Sequence, residues 1–128
     1  MFQEQQTPQR TRMSHKVPVE LMELLAEKAR KHLPTPQMGQ FYQFLLDMGM
    51  DDYADGIPLK KELVPRPKNE DGWNRFSHHV NISRIKRFND FHAGHLPKSS
   101  RRAFFEYIIM LGLQAYEREY TIYGFRKD

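Results

Sequence analysis

The sequence contains no cysteine, a single tryptophan and no apolar run long enough to cross a membrane. Without cysteine the chain has no disulfide, no thiolate nucleophile and no Cys-based zinc site. The N-terminus lacks the basic and apolar regions of a secretory signal. No nucleophile motif, glycine-rich phosphate loop or paired-carboxylate spacing stands out. We therefore expect a cytoplasmic protein that is not an enzyme and uses no cofactor, small-molecule ligand or membrane.

The length of 128 residues fits one ordinary domain or two very small units. A unit of about 45 residues buries too little apolar surface to be stable alone, so two such units would have to share a core. The net charge is +4, and its distribution is uneven. Residues 1–64 carry 8 Lys/Arg against 9 Asp/Glu, whereas residues 65–128 carry 12 against 7. The second half therefore favours an anionic partner.

Two short stretches, 63 residues apart, share one pattern: residues 12–17 read RMSHKV and residues 75–80 read RFSHHV. Both alternate, and alternation over six residues is typical of a half-buried strand. Each predicted strand has an inner face, formed by Met13, His15 and Val17 and by Phe76, His78 and Val80. The opposite face carries hydrogen-bond donors.

The rest of the second half repeats the first at the same offset of 63. The identical pairs are Arg12/Arg75, Ser14/Ser77, His15/His78, Val17/Val80, His32/His95, Leu33/Leu96, Pro34/Pro97, Phe41/Phe104, Gly49/Gly112 and Tyr53/Tyr116. Helical apolar stripes follow each strand, so each unit is predicted as strand, helix, turn, helix. The predicted segments are a disordered tail (1–9), a first unit (10–54), a linker (55–72), a second unit (73–116) and an aromatic tail (117–128).

This repeated unit resembles the ribbon-helix-helix family of DNA-binding proteins, the Arc and MetJ class. The resemblance implies a mainly α fold with a short two-stranded antiparallel β-ribbon that enters the major groove above four interlocked helices. Because both units lie in one chain, it implies a tandem pseudo-dimer that shares one core, similar to the TraY type. The chain departs from the family pattern at His15 and His78, where the family usually has an aliphatic residue.

The outward strand residues are the predicted base contacts: Arg12, Ser14, Lys16, Arg75, Ser77 and His79. Arginine and lysine suit guanine O6 and N7, and serine tolerates several partners. A merely solvated strand face would have the same composition, and the repeat together with the family pattern favours DNA. We further expect Lys16 to face His79 across the pseudo-twofold axis, which would make the recognised site asymmetric.

The start of the second helix in each unit is the predicted phosphate site. In the second unit it offers hydroxyl groups, free backbone N–H groups and cations, at Lys98, Ser99, Ser100, Arg101 and Arg102. The first unit offers only Thr35 and Gln37 near a less basic helix start. The alternative is an ordinary N-cap with exposed charges.

The histidines raise the question of a metal site. His92 and His95 are spaced i,i+3, and His78 and His79 are adjacent. A zinc or nickel site needs three or four ligands with supporting groups behind them. Partly buried, hydrogen-bonded side chains are the simpler account of His15 and His78, so we expect no metal.

The sequence therefore predicts a sequence-specific double-stranded DNA-binding protein that acts as a transcriptional regulator. An alternative within DNA binding is an accessory factor of a plasmid relaxosome or transfer origin. An alternative from another class is a helical protein-interaction module, such as an antitoxin or adaptor. The aromatic tail either folds back over the helices or joins neighbouring pseudo-dimers on DNA.

Overall fold

The computed structural model describes residues 10–32, 38–96 and 98–123. Within these ranges the elements are β1 (Arg10–Pro18), α1 (Val19–His32), α2 (Met38–Ala54), a 3-10 turn (Glu70–Gly72), β2 (Trp73–Asn81), α3 (Ile82–Gly94) and α4 (Arg101–Tyr123). The prediction of a mainly helical chain with a short two-stranded antiparallel sheet is confirmed. The predicted tail, residues 1–9, lies outside the described residues.

The two strands pair along their whole length. Ser14 lies opposite Ser77 at the centre, and Pro18 lies opposite Trp73 at one end. Side chains alternate between the two faces of a strand, and the apolar members of both strands point into the protein. The buried strand residues of the described chain are Met13, His15, Val17, Pro18, Phe76, His78 and Val80. Six of these seven residues follow the period-2 pattern; Pro18, at the end of β1, has the outward register but is buried.

Each strand leads directly into an amphipathic helix. Helix α1 buries Leu21, Leu25 and Ala29, which are spaced four residues apart and share one face. Helix α3 starts at an N-cap, because the Asn81 side chain accepts a hydrogen bond of 3.0 Å from the Ser83 N–H. These two helices therefore cover the inner side of the sheet with one face each.

Helices α2 and α4 pack closely against each other. A Cβ added at Gly49 would fall on the backbone carbonyl oxygen of Ile108, and one added at Gly112 would fall on that of Leu45. Leu45 and Ile108 are themselves separated by 63 residues, as the two glycines are. The two backbones touch because glycine has no side chain to hold them apart. Helix α2 continues through Gly49, as its apolar stripe predicts.

One cluster of buried apolar side chains joins both strands and all four of these helices. Its members with no exposed surface include Val17, Leu21, Leu25, Leu45, Leu46, Phe76, Val80, Phe88, Phe105, Ile108 and Ile109. Helix α4 contributes the largest share, which agrees with a sequence that is apolar on nearly every side of that helix. Within the described part of the chain, no helix has the length and apolar character needed to cross a bilayer.

The linker at 55–72 is attached to α4. The Lys60 N–H donates to Gln114 Oε1 at 2.8 Å, and Gln114 Nε2 donates to the Pro58 carbonyl oxygen at 3.0 Å. Leu59 and Val64 pack against the core, whereas Leu63 is exposed. Some of the apolar residues of the linker therefore hold it against the helices, and others do not.

Helix α4 extends beyond the limit predicted for the second unit. It ends at Tyr123, so the first seven residues of the segment predicted as an aromatic tail, 117–123, continue the helix. The predicted limit follows the repeat, whose last identical pair is Tyr53 and Tyr116, but no glycine or proline stands between Tyr116 and Tyr123 to end the helix.

Replacing Gly49 with Ala should destabilise the protein by about 1–3 kcal/mol, because the new methyl group forces α2 away from α4. Gly39→Ala, in the same helix, is the matched control. A Cβ at Gly39 meets no atom within 4 Å, so alanine should leave stability unchanged or raise it by up to about 1 kcal/mol. Urea denaturation of both variants measures the difference. Equal stability of the two variants would contradict the close crossing.

Candidate nucleic-acid interface

The outer face of the sheet carries all six residues that the sequence predicts as base contacts. Arg12, Lys16, Arg75 and His79 are exposed, and Ser14 and Ser77 are half-buried. They occupy alternate positions of two strands that pair in register. Three of the six side chains therefore form an outward row on β1 and the other three form one on β2, as the alternation predicts.

The two arginines of this face are held by reciprocal hydrogen bonds. Arg12 Nη1 donates to Ser77 Oγ at 2.7 Å, and Arg75 Nη1 donates to Ser14 Oγ at 2.9 Å. Each guanidinium group therefore crosses to the opposite strand and is fixed beside the centre of the sheet. Each bond uses one of the five N–H donors of an arginine, and the other donors have no acceptor within the described part of the chain.

The register corrects one prediction about this face. Lys16 lies opposite Arg75, and His79 lies opposite Arg12. Lys16 and His79 were expected to face each other because they occupy equivalent places in the repeat. In an antiparallel pair centred on Ser14 and Ser77, equivalent residues lie at equal distances on either side of the centre, so they sit at opposite ends. The two residues that differ between the repeats are therefore separated along the ribbon.

A polar network beneath the sheet supports one end of this face. Gln43 Nε2 donates to the His79 carbonyl oxygen at 3.1 Å. Arg84 Nη1 in turn donates to Gln43 Oε1 at 2.9 Å, and Arg84 Nε contacts Asp47 Oδ1 at 2.7 Å. The hydrogen bond to Asp47 raises the pKa of Arg84, so this guanidinium stays charged.

The sequence alone does not predict this network, because Arg84 lies in α3 whereas Gln43 and Asp47 lie in α2. The places related to Arg84, Gln43 and Asp47 by the repeat are Leu21, Glu106 and Met110. A comparison of the two repeats at these positions could have revealed the network. The three polar residues of the network correspond to two apolar residues and one carboxyl group in the other repeat. The network thus belongs to one side of the protein.

Two histidines lie on the inner face of the sheet, His15 with 7% and His78 with 8% of its surface exposed. The His15 ring stacks on Phe105 with centroids 4.3 Å apart, and its Nε2 accepts a hydrogen bond of 2.7 Å from Arg101 Nη1. Burial, together with the positive charge of Arg101, lowers the pKa of His15 to about 4. Burial likewise lowers the pKa of His78 to about 4, and neither of its ring nitrogens has a hydrogen-bond partner among the described residues. Both rings are therefore neutral near pH 7.

The predicted phosphate site at the start of α4 is only partly open to solvent. Lys98 and Ser100 are exposed, and Ser100 Oγ caps the helix by accepting from the Ala103 N–H at 3.0 Å. The Ser99 hydroxyl group is buried without a partner in the described part of the chain, and the Ser99 carbonyl oxygen contacts His92 Nε2 at 2.8 Å. The other predicted phosphate contacts, Thr35 and Gln37, lie outside the described residues.

The two arginines of this helix start differ in what they touch. Arg101 turns inward: besides His15, its Nε contacts Asn89 Oδ1 at 3.0 Å, and its guanidinium group lies 5.1 Å from the Phe88 ring centroid. Burial lowers the pKa of Arg101. Arg102 lies over the Trp73 ring at 4.5 Å. The sequence, in which these residues are grouped by adjacency, could not separate these two orientations.

Among residues 10–32, 38–96 and 98–123, no three His, Asp or Glu side chains come together as a metal site. His15 and His78 lie among aromatic rings, not among carboxylates. Comparison of the chain with family models, with curated proteins and with solved structures gives no match.

Acidification from pH 6.5 to pH 4.5 should reduce the free energy of unfolding, in part through His78. An unfolded histidine binds a proton near pH 6.5, whereas folded His78 does so only near pH 4, so the unfolded state binds more protons in this range. The contribution of His78 to the free energy of unfolding is fully present above pH 6.5. At pH 4.5 it is lower than that by at most about 2.5 kcal/mol. His78→Leu should therefore be more stable and less pH-dependent than the wild type in denaturation experiments.

His79→Leu is the matched control, because His79 is the next residue along the strand and is exposed. His79→Leu should flatten the pH dependence less than His78→Leu does, because burial is the main cause of the lowered His78 pKa and the neighbouring His79 only adds to it. If His78→Leu and His79→Leu flatten the curve equally, burial of His78 is not the cause.

Proposed function

We propose that the protein is a sequence-specific double-stranded DNA-binding protein that acts as a transcriptional regulator and inserts the paired strands into the major groove. The observation that carries the proposal is the outer sheet face, where Arg12 and Arg75 are fixed reciprocally by Ser77 and Ser14. A two-stranded ribbon fits the major groove, and its outward side chains reach base edges. An ordinary solvated strand face needs no such fixation of its longest side chains.

The donors on this face fit the acceptors of guanine. Arginine and lysine donate to O6 and N7, and an arginine that keeps both Nη groups in one plane can make two hydrogen bonds to one base. Holding the guanidinium group in place before binding reduces the side-chain entropy that is lost on binding. The serine bonds therefore favour a role for Arg12 and Arg75 in base recognition.

We further propose that the chain is a tandem ribbon-helix-helix pseudo-dimer with one shared core. Two pairs of contacts related by the offset of 63 support it: Arg12 with Ser77 and Arg75 with Ser14, and Gly49 with Ile108 and Gly112 with Leu45. The pairing of β1 with β2 is likewise centred on the equivalent residues Ser14 and Ser77. Reciprocal contacts of this kind are what a twofold axis between two similar units produces.

The proposed phosphate contacts lie beside the ribbon. Lys98 and Ser100 are exposed at the start of α4, where backbone N–H groups favour an anion. Arg101 makes internal contacts and serves chiefly to hold His15 beneath the ribbon. Its replacement would disturb folding as well as binding, so Lys98 is the better residue for testing phosphate contacts.

Arg12→Ala and Arg75→Ala should each relax base preference at a different position of the binding site, because the two arginines lie on either side of the sheet centre. Each loss should amount to about 1–3 kcal/mol if the contact is bidentate to guanine. Selection of bound duplexes from a random pool, followed by titration of the selected sequence, measures both effects. The control Lys98→Ala should weaken binding to all duplexes without changing the selected sequence.

Binding-site selection also tests the asymmetry of the proposed site. One chain should bind in a single orientation, since Lys16 and His79 differ at equivalent places of the ribbon. A selected site that is unchanged in both arginine variants would contradict base reading by this face. No selected sequence at all would contradict sequence-specific binding.

A fragment of residues 1–60 should be unfolded or should dimerise, because its apolar helix surface loses the second half of the core. Circular dichroism together with sedimentation measures both properties. The intact chain should unfold in one transition with the same midpoint for helix content and for tryptophan fluorescence. A folded, monomeric fragment would contradict the shared core.

A further inference from the structure

Trp73 lies close to two guanidinium groups at the end of the sheet where β1 stops. Arg102 Cζ is 4.5 Å and Arg66 Cζ is 5.5 Å from the ring centroid. The three residues come from three segments: Arg66 from the linker, Trp73 from the start of β2 and Arg102 from the first turn of α4. We call these three residues the Trp73 cluster.

The cluster continues the outward row of β2. Side chains alternate along a strand, so Trp73 shares its face with Arg75, Ser77 and His79. It lies two residues, or about 7 Å, beyond Arg75. The indole is half-buried, so one part of it packs on the protein and the rest is open to a partner.

The guanidinium groups of the cluster retain their hydrogen-bonding capacity. Stacking on an indole uses the face of a guanidinium group and leaves the N–H edges free. Among the described residues, neither Arg66 nor Arg102 has a hydrogen-bond acceptor or an ion pair. Six other arginines do have such partners: Arg12, Arg75, Arg84, Arg87, Arg101 and Arg118.

Carboxyl groups near the cluster limit its positive charge without cancelling it. Glu106 interacts electrostatically with both arginines but is only 1% exposed, and burial raises its pKa against their effect. Its negative charge is therefore less favoured than that of an exposed glutamate. Glu70 and Asp71, in the turn before Trp73, are exposed. The cluster is therefore suited to bind a single anionic group, and it does not form an extended positive surface.

The position of the cluster determines which part of DNA it would meet. Nine paired residues span about 30 Å, and a ribbon of that length is straight compared with a groove that winds around the duplex. Only the central residues can stay over base edges, and the ends pass over the sugar-phosphate backbone. The outward row therefore changes from base-directed groups near Ser77 to backbone-directed groups at Trp73.

We propose that the Trp73 cluster binds a backbone phosphate beside the base-read segment, on one side of the site only. The proposal rests on the DNA binding proposed above, and it assigns the linker, through Arg66, a direct part in that binding. The positions equivalent to Trp73 and Arg102 in the repeat are Arg10 and Gly39, so the other end of the ribbon lacks the aromatic platform and the arginine that stacks on it. The contact would therefore help to set the orientation of the protein on DNA.

Trp73 provides a direct probe, because it is the only tryptophan in the chain. Binding of the selected duplex should change its fluorescence and protect it from acrylamide quenching. Arg66→Ala should reduce the slope of log affinity against log salt by about 0.9, which is one phosphate contact. Between 50 and 200 mM salt, the affinity advantage of the wild type over Arg66→Ala should thus shrink by about 3.5-fold.

Arg30→Ala is the charge-matched control. Arg30 is exposed, and it lies eleven residues, or about 17 Å of helix, beyond the start of α1. It has no hydrogen-bond acceptor among the described residues. Arg30 therefore resembles Arg66 in charge, exposure and lack of an acceptor, but it lies in another part of the fold. Its replacement should leave the salt slope unchanged. Circular dichroism of both variants checks that the fold is intact.

The second test alters the DNA. Methylphosphonate substitution removes the backbone charge on one flank of the selected duplex at a time. On one flank it should weaken wild-type binding and abolish the difference between wild type and Arg66→Ala; on the other flank that difference should persist. If the duplex binds with unchanged Trp73 quenching and equal salt slopes, the cluster proposal is wrong while the proposed function stands. If no duplex binds to the wild type, both fail.

Discussion

The close approach of α2 and α4 is the constraint on which the other elements depend. Gly49 and Gly112 let the backbones touch, so each helix presents apolar side chains to its partner and to the elements around the pair. A side chain at either glycine would separate the helices and open space under the strands. The sheet has only two strands, and an isolated two-stranded sheet is marginal in water. The outer face therefore depends for its shape on packing against the elements beneath it.

The sequence predicts those features that depend on periodicity. Alternation at residues 12–17 and 75–80 identifies the buried and outward faces of the strands, and the offset of 63 predicts that Arg12 and Arg75 share one surface. Periodicity does not predict which outward residues lie opposite each other, because register depends on the whole pairing. Lys16 therefore turns out to face Arg75, not His79.

Adjacency in sequence is a weaker guide to the candidate site than periodicity. Arg101 and Arg102 stand side by side, yet one reaches His15 and the other stacks on Trp73. Neighbouring residues of a helix point about 100° apart, since 3.6 residues make one turn. What each side chain meets is then decided by elements distant in sequence, β1 for Arg101 and β2 for Arg102. Such contacts require the tertiary structure.

The two repeats have the same order of strand and helices, but they differ in the polar residues that lie beneath the sheet. Gln43 holds the His79 carbonyl group and is fixed by Arg84, whereas the equivalent position, Glu106, is a buried carboxyl group. Buried polar groups require partners, so the two ends of the outer face lie above different polar groups. Arg12 and Arg75 are identical in the two repeats, as are Ser14 and Ser77, whereas Lys16 differs from His79 and Gln43 differs from Glu106. A fused chain can hold such differences at fixed places, which two identical chains cannot do. This is the physical basis for expecting one preferred orientation on an asymmetric site.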